Sequence, residues 1–322
     1  MNMQALPTSI ALALTLGIVA APAHAQLARS FVSAGIGNDA NAPNCTRTAP
    51  CRTFQAAHDN TIDKGEITVL DPGSYGAVTI TKNISIINDG VGEAGVLVSG
   101  GGTGVTVSAP NTAAVTLRGL SIKGIGFGGG NGIVVNSAAQ LNVENSTVRN
   151  LDGSGVGNGI VVMPNNTTVD LAVTNTVISD NALSGILINP TGTSPQVTAI
   201  LDHVGLYNNS LGLFANGDNG GGGFVGVVVN DSVGSKNGTA FGAESSPTGT
   251  NTTGIVVFVN RSVATFNTTG ILARGTRASA VANGSAIVNN TSDGWSGNVF
   301  SYGNNALFGN GGNQPAQPLN LQ

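Results

Sequence analysis

A glycine followed by an apolar triplet returns along this chain at a nearly constant step. The clearest copies are NGIVV at 131–135, NGIVVM at 158–163, SGILI at 184–188 and TGILA at 269–273. The glycines Gly132, Gly159, Gly185, Gly212, Gly242, Gly270 and Gly294 fall at intervals of 27, 26, 27, 30, 28 and 24 residues, a mean of 27. Around Gly242 and Gly294 the triplet is degenerate, reading AFGAE and DGWSG. A unit this short cannot enclose a core alone. It buries its apolar face against the next copy, so the chain is expected to be a solenoid.

Each repeat holds three short β-type segments and no helical periodicity; in one copy they are 159–163, 169–173 and 176–179. A leucine-rich repeat needs a leucine lattice that is absent, and a propeller blade needs a longer unit. Three strands and three turns make one coil of a parallel β-helix. A second register supports this. Two residues beyond Leu117, Val143, Val173, Ile200, Val229 and Val259 stand Gly119, Asn145, Asn175, Asp202, Asp231 and Arg261, mostly turn formers. Strands then start at Val177, Val204, Val233 and Val263. A third column, Asn150, Asn181, Asn208, Asn237, Asn267 and Asn290, predicts amides bonded from coil to coil at about 4.8 Å.

Composition narrows the class. Forty per cent of the 322 residues are hydrophobic, which argues against disorder. The net charge is −4 and the 12 Lys and Arg gather nowhere, so nucleic acid is not an expected partner. Near the N-terminus, IALALTLGIVAA at 10–21 precedes Ala23-His24-Ala25, the pattern of a signal peptide over 1–25, although no Lys or Arg precedes the apolar run. That run is too short to span a bilayer. A secreted, periplasmic or cell-surface location is expected, with no membrane span. In an exported chain Cys45 and Cys51 of NCTRTAPC read as a local disulfide, two free thiols being the alternative.

The pattern resembles the right-handed parallel β-helix proteins of the pectate-lyase-like superfamily over roughly residues 67–310, and the hand comes from that resemblance. The stretches FVSAGIGNDANAPNC, APCRTFQAAHDN and ITVLDPGSYGAVTITKNISI are similar to the entry segment of secreted bacterial members. The resemblance implies an all-β fold with a short N-terminal cap helix over 54–60, capped by Thr53. Asp71-Pro72-Gly73 would then turn the chain into Val78-Thr79-Ile80, where the stack begins. The expected organisation is a signal peptide over 1–25, a cap segment over 26–66, a β-helix of eight to ten coils over 67–310 and a flexible tail over 311–322. Trp295, Phe300, Tyr302 and Phe308 are expected to close the far end, with sugar stacking as the alternative.

Lyases of that superfamily imply calcium-binding acids with an Arg or Lys base on the strand after the glycine. Here both faces of that strand are apolar. Hydrolases need paired carboxylates, and no Asp-Asp pair occurs, although longer loops could supply acids. The candidates that remain are Asp202, His203 and Asp231, with Arg261 one coil on; ILDH at 200–203 faintly resembles a lyase signature. Stacked Asp202 and Asp231 could hold a cation such as Ca²⁺, although their turn column asks only for backbone work. Asp180, beside the amide column, is a further candidate, and His58 reads as structural. GxGxxG at 124–129 has no helix to serve, and GDNGGGG at 217–223 lacks the acids of a calcium repeat. No cofactor is evident. The expected function is a secreted scaffold or binding protein for polysaccharide without a recognisable catalytic set. The alternatives are a polysaccharide lyase or glycoside hydrolase with loop-borne acids, and a self-assembling protein docking through Val134, Val161, Leu187, Phe214 and Leu272.

Overall fold

The computed structural model describes residues 27–125, 128–153, 155–245 and 253–320; the signal-peptide segment expected over 1–25 lies outside them. The described strands form three parallel sheets of twelve, ten and nine strands. One coil runs through Thr168–Thr174, Val177–Ser179 and Ser184–Ile188, which belong in turn to a wide sheet, a short-strand sheet and a glycine sheet. Each strand pairs with its counterpart one coil away, giving about eight turns of about 28 residues. Connections between parallel strands of one sheet take the right-handed sense. Alternate wide-sheet residues such as Val169, Leu171 and Val173 point inward and are at most 2% exposed, so a single apolar core runs the length of the solenoid.

Close approach explains the recurring glycine. A Cβ on Gly132, Gly159, Gly185 or Gly270 would stand 2.4–2.8 Å from the carbonyl oxygen of the next coil's equivalent residue, well inside van der Waals contact. Strand register removes Gly242 from that column. Leu211 pairs with Thr239, so Ala240 follows Gly212, while Gly242 pairs with Phe214. The Ala240 methyl fits because Gly234, whose own Cβ would stand 2.6 Å from it, has no side chain. Gly242 instead makes room for the Phe214 ring, 2.6 Å from where its Cβ would be.

The coil around residue 200 is shifted by one from the sequence reading. Leu201 is buried, whereas Ile200 is 51% exposed. The left-handed corner residue is therefore His203 (φ 54°), not Asp202, in a column with Gly119, Asn145, Asn175, Asp231, Arg261 and Gly284. The next strand starts at Gly205 rather than Val204. The amide ladder uses Asn209 rather than Asn208, and Leu151 rather than Asn150 precedes it. Asn181, Asn209, Asn237, Asn267, Asn290 and Asn310 each accept from the preceding amide or backbone N–H at 2.9–3.2 Å. Asn150, Asp180 and Asn208 occupy the neighbouring left-handed column.

A second buried ladder is made of hydroxyls. Ser146, Thr176, Ser232, Ser262 and Ser285 each accept a backbone N–H from the previous coil and donate to the carbonyl two residues upstream. The sequences Asn230-Asp-Ser, Asn260-Arg-Ser and Asn283-Gly-Ser are thus one turn: strand end, left-handed corner, buried hydroxyl.

Both ends are closed. The helix α1, Phe54–Asn60, is capped by the Thr53 side chain accepting from Ala56 N–H at 3.2 Å, and buries Phe54, Ala57 and His58. Its His58 accepts from Thr81 N–H at 3.2 Å, and burial lowers its pKa despite Asp59 beside it. Cys45 and Cys51 form a disulfide, and Phe31 and Ser33 N–H donate to their carbonyls. The wide sheet extends back to Leu27–Val32, inside the segment read as a cap. The segment 311–322, expected as a flexible tail, is tied down as far as the described residues go. Gln317–Pro318 pairs with Val299–Ser301, and Leu319 N–H donates to Ser301 O at 2.8 Å.

Candidate functional site

The sequence-derived candidates do not converge on one centre. Asp202 ends a wide-sheet strand, pairs in register with Asn230, and lies 3.1 Å from its neighbour His203. Asp231 stands in the corner column and is gripped by Arg261, which donates from Nε and Nη2 at 3.0 and 2.6 Å. That grip holds the Asp231 carboxyl below its ordinary range. The two carboxylates thus occupy different columns, and one is neutralised by a cation. Asp180 accepts from Asn208 Nδ2 at 2.8 Å and Ser179 Oγ at 2.7 Å, which lowers its pKa; its left-handed backbone (φ 57°) makes it part of a corner. Among the described residues no group of three or more His, Cys, Asp or Glu could hold a metal ion.

On the glycine sheet the outward column reads Thr106, Val134, Val161, Leu187, Phe214, Gly242, Leu272 and Ser296. It carries neither acid nor base. Val161 and Phe214 are buried at 3% and 7%, and Val134, Leu187 and Leu272 are half-buried. The two acids of the 88–93 loop are engaged, Asp89 with Arg118 at 3.2 Å and Glu93 with Lys123 at 2.7 Å. At the far end Trp295 is buried, donating from Nε1 to Gln314 O, whereas Phe308 is 78% exposed.

The feature that sequence reasoning missed lies on the outer face of the wide sheet. Register aligns Ala172, Ile200, Val228, Phe258, Val281 and Phe300 in one outward column along the solenoid axis. Toward the N-terminus the same column is polar: Arg29, Glu66, Ser85, Thr116 and Asn142. Ile200 and Val228 are exposed, as is Phe224 at 47%, whose ring lies across Gly226; a Cβ there would be 3.0 Å from Phe224 Cε1. Along one margin Asn260, Asn283 and Asn304 donate in turn to Asn230, Asn260 and Asn283 at 3.1, 2.6 and 2.9 Å. An amide has two N–H donors and its oxygen two lone pairs, so each rung keeps capacity for a ligand. The signal was present as Val-Val-Asn and Phe-Val-Asn, but only the pairing register stacks these words into a face.

No family model matches the chain, and no curated protein matches it. Among solved structures it is similar to the crystal structure of pectate lyase Pel9A, at 16% identity over 85% of this chain and 67% of that one, with a TM-score of 0.47. No residue role is carried over from that likeness. On its own strand topology the chain is an all-β parallel β-helix.

Proposed function

We propose that this β-helix is a non-catalytic binding scaffold for an extended polysaccharide, which lies along the C-terminal half of the wide sheet parallel to the solenoid axis. The observation that carries this reading is the flat Phe224 ring beside an apolar column with an amide ladder on its margin. A pyranose has an apolar C–H face and a rim of hydroxyls. The first stacks on aromatic and aliphatic groups, and the second pairs with amides that both donate and accept. The apolar outward column of the glycine sheet and the cation-paired Asp89 and Glu93 favour binding over cleavage. A secreted location rests on the 1–25 pattern and fits the disulfide. Self-association through the glycine-sheet column takes second place, because two of its five members are buried.

The test is a panel of pectins, alginate, xylans and bacterial exopolysaccharides, followed by gel retardation for binding and by reducing ends for cleavage. Retention by at least one polymer, weakened by Phe224→Ala and Phe258→Ala without product release, supports the reading. Product release would replace it with the enzymatic alternative, and indifference of binding to both substitutions would remove this face from it.

A further inference from the structure

The coil that begins at Ile84 turns its corner differently from the coil that follows it. Between Ile84–Ile87 and Ala94–Val98 the chain takes six residues, where the next coil turns on Gly119 alone. Asn88 holds this inserted loop in one shape. Its side chain is 7% exposed, accepts from Gly90 and Val91 N–H at 3.3 and 3.2 Å, and donates to Gly92 and Gly119 carbonyls, each at 2.8 Å. Three of these bonds stay within the loop and the fourth ties it to the next coil, so the loop is preorganised rather than loose.

Beside it opens a cavity of about 450 Å³, bordered by Asp89, Arg118, Asn145 and the backbone of Gly90 and Gly92. That volume lies in the small-ligand range, about 300–1,000 Å³. Arg118 Nε sits 3.2 Å from Asp89 Oδ1, a contact that uses one of five guanidinium donors and one of two carboxylate oxygens. The pair carries no net charge, so neither an anion nor a cation is favoured. What it presents is a donor and an acceptor side by side, with the Asn145 amide, which can do both, completing the wall.

We infer that this cavity binds a small neutral polyol, a single sugar residue with vicinal hydroxyls. Asp89 accepts from one hydroxyl, Arg118 donates to its neighbour, and Asn145 takes a third group. The site lies on the same margin of the wide sheet, N-terminal to the apolar strip: the register column of Arg118 runs through Glu144, Thr174 and Asp202 to Asn230, four coils on. That separation lets it be tested apart from the polysaccharide reading.

The experiment is a titration of the full chain with glucose, galactose, mannose and xylose, followed by the chemical shifts of the Gly90, Gly92 and Gly119 amides. Galacturonate and glucosamine serve as charged analogues. At least one neutral sugar is expected to bind at millimolar concentration. Asp89→Asn, Arg118→Ala and Asn145→Gly are each expected to weaken it tenfold or more, while Phe224→Ala leaves it unchanged. Asn145→Gly keeps a residue at ease in the left-handed corner, so loss of binding there is not loss of fold. Three results would overturn the inference: no shift at these glycines with any neutral sugar, preference for either charged analogue, or binding that depends on Phe224 and ignores the cavity variants. Polymer retention on the wide face could persist through all three, which separates this failure from failure of the polysaccharide reading.

Discussion

Arg261 closes on Asp231 from one coil away, Nε to Oδ1 at 3.0 Å and Nη2 to Oδ2 at 2.6 Å, and His203 precedes Asp231 in the same corner column. A carboxylate held this way is occupied. Arg261→Ala is expected to return the Asp231 pKa upward toward its ordinary value, read by carbon NMR titration, with little change in the unfolding midpoint because the pair is exposed to solvent. Calcium is expected to leave that midpoint unmoved; a calcium-dependent rise abolished by Asp202→Asn would restore the cation site.

The shifted ladder separates two adjacent asparagines. Asn209 is buried, with its amide bonded to Asn237 and to Ile178 O, while Asn208 stands in the left-handed corner and reaches only the exposed side. Asn209→Ala strands several buried partners and is expected to cost about 3 kcal/mol or more. Asn208→Gly keeps the left-handed backbone and is expected to change stability by under about 1 kcal/mol. Urea unfolding of the two variants decides which one belongs to the ladder.

Glycines of the stacking column are unequal to those on the wide face. A methyl at Gly159 meets Gly185 O and Ile178 Cγ2, both at 2.5 Å, with backbone that cannot yield. Gly159→Ala is expected to cost about 3 kcal/mol or to prevent folding. Gly226→Ala meets only the Phe224 ring, which can swing aside, so its expected stability cost is under about 1 kcal/mol, with polymer binding reduced by the displaced ring. Thermal unfolding and gel retardation measured on the same two proteins separate these effects.

Asp71 ties the N-terminal cap to the first turn. Burial pushes its carboxyl up, but bonds from Ser33 Oγ, Ala34 N–H, the Tyr75 hydroxyl and Gly35 N–H outweigh that and hold it at about 2. A folded-state pKa below the unfolded value of about 3.9 means stability that is present above that value and lost as pH falls toward 2. Asp71→Asn is expected to flatten the dependence between about pH 4 and pH 2. Unfolding midpoints across that range, with an unchanged slope in the variant, would remove Asp71 as the cause.

Oligosaccharide length reports the run of the wide-face column. From Ile200 to Phe300 the column crosses four coil steps of about 4.8 Å each, roughly 19 Å. Affinity is expected to climb with each added sugar until that span is covered and then level off. Calorimetry on a graded series of the polymer that binds checks this, and a flat series would place the ligand across the strands instead.

Much of this architecture is legible in the linear sequence because a solenoid repeats its local chemistry. Gly132, Gly159, Gly185, Gly212 and Gly270 recur because coil-to-coil contact at that position admits no Cβ. Asn237, Asn267 and Asn290 recur because buried backbone groups need partners. The Cys45–Cys51 pair is a short-range feature whose residues carry their own reason, whereas the helix capped by Thr53 is an expectation from the family resemblance. The slips fall where local chemistry is degenerate. Ile200-Leu201 and Asn208-Asn209 each set two equivalent side chains next to each other, and a strand's alternation cannot say which one faces in. A one-residue displacement then moves Asp202 out of the corner and His203 into it.

The sequence by itself determined the class of fold, the period and the existence of the ladders, since each depends on residues close in the chain or on repetition. Tertiary structure alone decided which residues meet across coils. The apolar strip from Ile200 to Phe300, the Arg261–Asp231 grip, and the cavity between the 88–93 loop and the corners at Gly119 and Asn145 join residues 19 or more positions apart. Register, fixed by burial of the alternate side chains, brings them together.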